Sequence, residues 1–153
     1  MSIRPARVSD CQQIRLLLDQ LEYPGTEKFL EARIRQLVND PNEALLVYEE
    51  DTVISDPAAS RREGRILGFI SLHFIPQIAL EGDFARISYF AVHERARGGG
   101  VGQALEEYVT ALARERGCTL IEVHCHTRRE RAHAFYFRQG YEESPKYLIK
   151  RLK

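Results

Sequence analysis

The chain has 153 residues, enough for one domain that buries a real core. Its 22 Lys and Arg balance its 22 Asp and Glu, which argues against a general binder of nucleic acid or of charged membrane surfaces. No apolar run approaches the ~18 residues of a membrane span, no apolar signal segment opens the chain, and Cys11, Cys118 and Cys125 are too few and scattered for a disulfide framework. The expectation is a single soluble domain over residues 1–153 in a reducing cytoplasm.

Ile3 to Val8 alternates and predicts a first strand. Ser9-Asp10-Cys11-Gln12 has the form of a capping box, and Ile14, Leu17, Leu18 and Leu21 share one face of the helix it would open. Pro24-Gly25 breaks the chain. Thr26 is placed to cap a second helix, with Leu30, Ile34, Leu37 and Val38 on one side and Asn39-Asp40-Pro41 at its end. Ala44 to Glu49 predicts a second strand, and the polar stretch from Asp51 to Arg65 reads as a long exposed loop. Ile66 to Phe74 is a third strand interrupted by Gly68; Phe84 to His93 is a fourth that runs into a basic, glycine-dense turn. A third helix follows with Val101, Leu105, Tyr108, Val109 and Leu112 on one face, and Gly117 as its left-handed C-cap. Leu120 to Cys125 is a fifth strand. Thr127-Arg128-Arg129-Glu130 repeats the capping pattern before a helix through Ala132, Ala134, Phe135 and Phe137 that Gly140 terminates. Tyr141 to Leu152, broken by Ser144-Pro145, is expected to return as one or two closing strands. The order β-α-α-β-β-β-α-β-α-β describes an α/β chain, a mixed sheet with helices on its faces.

Four of the ten glycines fall between positions 98 and 102. A tight turn at a helix start offers unsatisfied N–H groups and the positive end of the macrodipole, so it favours a phosphate, and Arg95 and Arg97 add charge. The P-loop pattern fails, because Gln103 and Ala104 stand where it needs a lysine and a hydroxyl. The dinucleotide fingerprint fails as well, although Glu122 lies twenty residues past Gly102, where a ribose-binding acid would stand. A turn without a ligand would not need three consecutive glycines, each costly in backbone entropy.

Arg97-Gly98-Gly99-Gly100-Val101-Gly102 resembles the [QR]-x-x-G-x-[GA] loop of the GCN5-related N-acetyltransferases, preceded as in that family by an apolar-Ala-Val strand end, Phe90-Ala91-Val92. The segment from Ala132 to Tyr141 resembles the family's A-x-x-F-Y-x-x-x-G-[FY] element. Together the two motifs and the element order cover essentially the whole chain. The resemblance implies acetyl-CoA as co-substrate, with its pantetheine arm between splayed fourth and fifth strands and paired with the backbone of Phe90, Ala91 and Val92. Its pyrophosphate would lie on the N–H groups of Arg97, Gly98, Gly99, Gly100, Val101 and Gly102, with Gln103 at the first helical turn. Tyr136 stands at the position of the tyrosine that protonates the departing thiolate, and an unperturbed phenol stays protonated at neutral pH. The other reading of Tyr136 is an aromatic packed between Phe135 and Phe137.

The base is open. Some relatives use a glutamate in strand four, but Arg86 to Tyr89 contains no carboxylate, which leaves Glu122, Glu81, Asp83, His124 or water. Arg129 replaces an Asn that family members often keep before the tyrosine. His124-Cys125-His126 is not a metal site, because alternate strand residues face opposite ways, and Cys125 reads as core. His133, three residues from Tyr136, either borders the site or lies at the surface. Similar folds border their acceptor with segments that correspond to Leu21–Thr26 and Glu142–Tyr147, where Glu22, Glu27, Glu142 and Glu143 could attract a cationic amine. The expectation is a metal-free N-acetyltransferase in which a small amine attacks acetyl-CoA directly in a ternary complex. Neither nucleic acid nor membrane is an expected partner, and homodimers are common among such proteins. The alternative is a non-catalytic acyl-CoA-binding module of the same fold.

Overall fold

A computed structural model describes residues 2–51, 64–125, 129–144 and 146–153, and across them five strands lie side by side in sequence order. β1 (Ser2–Pro5), β2 (Glu43–Glu50), β3 (Arg65–Ile75) and β4 (Phe84–Val92) pair antiparallel; β5 (Ile121–Val123) pairs parallel to β4. A parallel pair needs a crossover, and α3 (Val101–Glu115) provides it. α1 (Cys11–Gln20) and α2 (Leu30–Val38) lie between β1 and β2 in the chain, and α4 (Glu130–Arg138) follows β5. Strand side chains alternate between the faces. Leu45, Val47, Phe69 and Ala91 bury against Ile14, Leu17, Leu18 and Ile34 of α1 and α2. Leu46, Ile70, Leu72, Ala85 and Ile87 point the other way, into a second core with Val101, Leu105 and Val109 of α3 and Tyr136 of α4. The expected mixed sheet with helices on both faces is what forms.

Several local expectations are corrected. The capping box at Ser9 to Gln12 does not form. Asp10 is the N-cap of α1, but its carboxylate accepts from the Arg7 N–H at 2.7 Å and from the Arg4 guanidinium at 2.8 and 3.0 Å. A cationic fork outcompetes a helix amide for a carboxylate. The Thr26 hydroxyl caps nothing; the Thr26 carbonyl starts the turn by accepting from Phe29 and Leu30 N–H, and Phe29 is the N-cap of α2. Gly68 does not interrupt β3, which bulges at Leu67 and continues. A Cβ at Gly68 would stand 3.0 Å from the Ala91 carbonyl oxygen and 3.1 Å from both Leu105 Cδ1 and Val101 Cγ1, so this glycine seats α3 on the sheet. Among the described residues, the closing strands expected from Tyr141 to Leu152 are absent: β5 offers only a three-residue ladder, and Leu148 and Leu152 are exposed. Thr127 of the second capping pattern, His126 and most of the expected Asp51–Arg65 loop lie outside the described residues.

The expected glycine stops of α3 and α4 both form, and by one device. Gly117 (φ 79°) and Gly140 (φ 90°) take the left-handed conformation that glycine adopts without steric cost. After α3, Gly117 N–H reaches the Arg114 carbonyl and Cys118 N–H the Ala113 carbonyl. After α4, Gly140 N–H reaches the Phe137 carbonyl and Tyr141 N–H the Tyr136 carbonyl at 3.0 Å. This Schellman closure folds Tyr141 back onto Tyr136, with ring centroids 5.2 Å apart.

Candidate active site

The site begins where β4 and β5 part. Their ladder holds only Ala85 to Ile121, Arg86 to Glu122 and Ile87 to Val123. Beyond it the β5-facing edge of β4 has no strand partner among the described residues. At the same point β4 bulges: the register against β3 jumps from Leu72–Ile87 to Ser71–Tyr89, so Ser88 is the extra residue. The insertion shifts the side-chain phase. Ile87 and Phe90 both pack on the α3–α4 side, whereas Ala91 joins the α1–α2 core. Phe90, Ala91 and Val92 therefore form the open edge beside the parting strands.

Past Val92 the chain makes one short turn (Glu94–Ala96), anchored by Gln20 at the end of α1, whose Oε1 accepts from Glu94 N–H at 3.0 Å. Gln20 had no local signal in the sequence, since its partner is more than seventy residues away. Arg97 is extended, with Nε 3.4 Å from the Val92 carbonyl. Gly98 (φ 80°) and Gly100 (φ 87°) are left-handed; an added Cβ would meet nothing within 4 Å at either, so backbone conformation rather than space demands glycine there. Gly100 is the N-cap of α3, and the following amides of Val101, Gly102 and Gln103 belong to the first turn, which a helix leaves without internal acceptors. Gly99 nests against the Ala96 carbonyl, and Gly102 lies against Phe135 and Val92, which brings α4 up to the turn. The Gln103 side chain donates to Glu107 at 2.8 Å, so its contribution at the turn is backbone.

Tyr136 closes the other side. It is 8% exposed, with its ring centroid 6.3 Å from Phe90 and 5.3 Å from Phe135. Burial pushes its phenol above the usual tyrosine range, helped by neighbouring Cys125 and Glu106, so it keeps its proton at neutral pH. Below it, Glu106 is 4% exposed and accepts from Thr110 Oγ1 at 2.7 Å and Tyr141 Oη at 3.2 Å. The sequence reading overlooked Glu106 and put Tyr108 on the core face; Tyr108 is exposed instead. Cys125 packs against the α3–α4 core, and burial raises its thiol, which disfavours a thiolate nucleophile.

The expected bases are occupied or remote in character. Glu122 accepts from Arg86 at 2.5 Å. His124 stacks on Tyr147 at 4.3 Å and lies 3.8 Å from Glu122. Glu81 is exposed, and Asp83 uses its backbone carbonyl to hold Thr119 N–H. Arg129 donates to the Leu21 carbonyl at 3.4 Å and stands 4.0 Å from Glu22, tying the start of α4 to the α1–α2 connection. Glu22, Glu27, Glu142 and Glu143 are exposed, and His133 is half-buried.

A glycine turn at a helix start, an open strand edge and a buried protonated tyrosine meet at one point of the sheet. The model of the Acetyltransferase (GNAT) family matches residues 12–141. The chain belongs to this family. It is therefore an acetyltransferase. A curated relative, the aminoalkylphosphonate N-acetyltransferase of Salmonella typhimurium, is 32% identical over 83 residues, covering 54% of each protein, so the match spans about half the length of that relative. Among solved structures, a GNAT family acetyltransferase of Staphylococcus aureus superposes with a TM-score of 0.75 at 23% identity, covering 99% of this chain and 100% of that one. The ribosomal-protein-alanine N-acetyltransferase of Brucella melitensis biovar Abortus gives 0.73 at 16%, with 99% and 100% covered. At these identities the superpositions show a shared GNAT fold. No described helix is long and apolar enough to cross a membrane.

Proposed function

We propose that this chain transfers the acetyl group of acetyl-CoA to the primary amine of a small molecule, by direct attack of the amine on the thioester. The junction of the open β4 edge, the left-handed glycine turn and Tyr136 carries this conclusion. The GNAT family uses acetyl-CoA as co-substrate, and the residues here fit it. The amides of Arg97 to Gln103 hold the pyrophosphate, apart from that of Gly99, which donates to the Ala96 carbonyl at 3.2 Å. Gly98 and Gly100 keep the backbone free of side chains on that side, and the edge of Phe90, Ala91 and Val92 binds the pantetheine arm. An unpaired β4 amide beyond the Ser88 bulge donates to the carbonyl oxygen as negative charge develops there. Tyr136, kept protonated by burial, gives its proton to the departing sulfur. A small acceptor is favoured by the Salmonella relative, whose named substrate class is an aminoalkylphosphonate.

Thermal shift with acetyl-CoA, ATP and NAD tests the binding half. Acetyl-CoA at ~100 times its Kd should stabilise the protein by about 2.7 kcal/mol, with no effect of the other two. No stabilisation by acetyl-CoA would reject the proposal. Free-thiol release with aminomethylphosphonate, an aminoglycoside and a peptide N-terminus tests the transfer half. In that assay Tyr136→Phe should lower kcat by ~10²-fold or more while leaving acetyl-CoA affinity within a factor of about three. Unchanged turnover would remove Tyr136 from the acid role.

A further inference from the structure

Three side chains from three adjacent strands converge where β4 bulges. Glu43 of β2 and His73 of β3 are direct cross-strand partners, and the Glu43 carboxylate contacts His73 Nδ1. The other ring nitrogen, His73 Nε2, contacts Ser88 Oγ on β4. Ser88 is the bulge residue itself, next to the last paired residue of β4, Ile87, and so stands at the mouth of the open edge. Their strand neighbours Ala44 and Leu72 pack towards α3 and α4, so Glu43 and His73 project from the opposite face. There Tyr89 meets Tyr23 of the α1–α2 connection at 5.2 Å. Glu43 and His73 are 22% and 25% exposed and Ser88 is open to solvent, so a ligand can reach the hydroxyl while the other two stay sheltered. Arg86, the cross-strand partner of His73 on β4, is drawn off by Glu122 at 2.5 Å.

Carboxylate, imidazole and hydroxyl in this order form a proton-transfer chain. The carboxylate holds the proton on Nδ1, which leaves Nε2 to accept from the hydroxyl, and it stabilises the imidazolium that results. We propose that Ser88, His73 and Glu43 are the relay that removes the acceptor amine's proton; this rests on the acetyl-transfer reading above. Ser88 Oγ takes a proton from the amine nitrogen as its own passes to His73 Nε2. The nitrogen lone pair forms the bond to the acetyl carbon, the carbon–sulfur bond breaks, and its electron pair leaves with the sulfur, which Tyr136 protonates. The nitrogen's second proton, acidic once the bond to carbon has formed, passes to solvent, from which the Tyr136 phenolate is reprotonated. The imidazolium then loses its own proton to solvent; the balance is the one proton released when an ammonium becomes an amide and a thiol. Ser88 is the catalytic residue of the three, and His73 and Glu43 act through it. Tyr136 sits in the α3–α4 core and the relay on the other face, so the two proton partners serve different substituents of one carbon from opposite sides of β4.

The test measures thiol release by wild type, Ser88→Ala, His73→Gln, His73→Ala and the Ser88→Ala/His73→Gln double variant. The acceptor is whichever of aminomethylphosphonate, an aminoglycoside or a peptide N-terminus the wild type uses best. Each single variant should lose ~10²-fold in kcat with KM within a factor of about three, and the double variant should lose no more than either, as members of one unit do. Imidazole at ~50 mM should restore part of the His73→Ala loss, which a merely structural role would not allow. Acetyl-CoA thermal shifts equal to wild type establish that each variant is folded, and exposed Ser88→Ala keeps the test open if a His73 variant is not. Wild-type kcat in Ser88→Ala, or losses that multiply in the double variant, overturn the relay alone. So does a stable acetyl adduct on Ser88 with acetyl-CoA, which would make it a nucleophile. Wild type that binds no acetyl-CoA, or releases no thiol with any amine, overturns the transfer reading and the relay with it.

Discussion

Asp10 shows how one side chain can hold the start of a fold. It joins β1 to the entry of α1 through Arg4, whose Nε also contacts Glu49 of β2 at 2.8 Å. Burial pushes the Asp10 carboxyl up, but the Arg4 hydrogen bonds and the Arg7 amide outweigh it and the net shift is down; the Arg4 hydrogen bond likewise lowers Glu49. A depressed folded pKa contributes stability that is full above the unfolded value of ~4 and fades as pH falls through the folded value. Asp10→Asn should therefore cost about 2 kcal/mol near neutral pH, read from urea midpoints, and shrink the stability lost below about pH 4. An unchanged midpoint would show that Arg4 finds another partner. The residues of the glycine turn were legible in the sequence because left-handed backbone excludes most side chains, so Gly98, Gly100 and Gly140 mark their own positions. Glu43, His73 and Ser88 were not. They are thirty and fifteen residues apart, and only strand register and a bulge bring them together.

At the scale of elements, β3 and α3 meet through Gly68. Val101 lies directly above it and is the first residue of the helix that follows Gly100, so a methyl group at position 68 presses on the start of α3. Gly68→Ala should destabilise by about 1–2 kcal/mol by overpacking and should also weaken acetyl-CoA affinity. Urea midpoints and thermal shifts read the two effects; loss of neither would mean that α3 is seated elsewhere. Helix faces were readable for α1 and α2, where Ile14, Leu17, Leu18, Leu30 and Ile34 are buried as expected, although Val38, placed on the same face, is exposed. β2 and β4 were legible as apolar runs rather than by alternation. The β4 bulge was not, because one inserted residue leaves the composition unchanged and shows only as a slip against β3. The expected closing strands failed for a related reason. Apolar residues such as Leu148 and Ile149 promise a strand only when a neighbouring edge exists to receive it, and β5 is three residues long.

Over the whole molecule, the order of elements and the mixed sheet were legible, since helical and strand periods alternate along the chain in the pattern of the GNAT fold. What local pattern could not show is how unevenly that sheet is joined. β2, β3 and β4 are joined by antiparallel ladders of eight pairs each, whereas β5 and α4 connect to them through three residue pairs and the contacts of α3 and α4 with the shared core. A sheet with an edge in its interior is expected to open as two cooperative units rather than one. Amides of β2 and β3 should exchange with solvent deuterium only through global unfolding, whereas those of β5 and α4 should exchange earlier and together, by opening as a single flap. On the proposed reading acetyl-CoA binds across that seam, and it should then slow β5 and α4 far more than β2. Equal protection of both groups without it would mean that three pairs already suffice. On this view the co-substrate is also the missing rung of the ladder, and the protein reaches its full cohesion only while loaded.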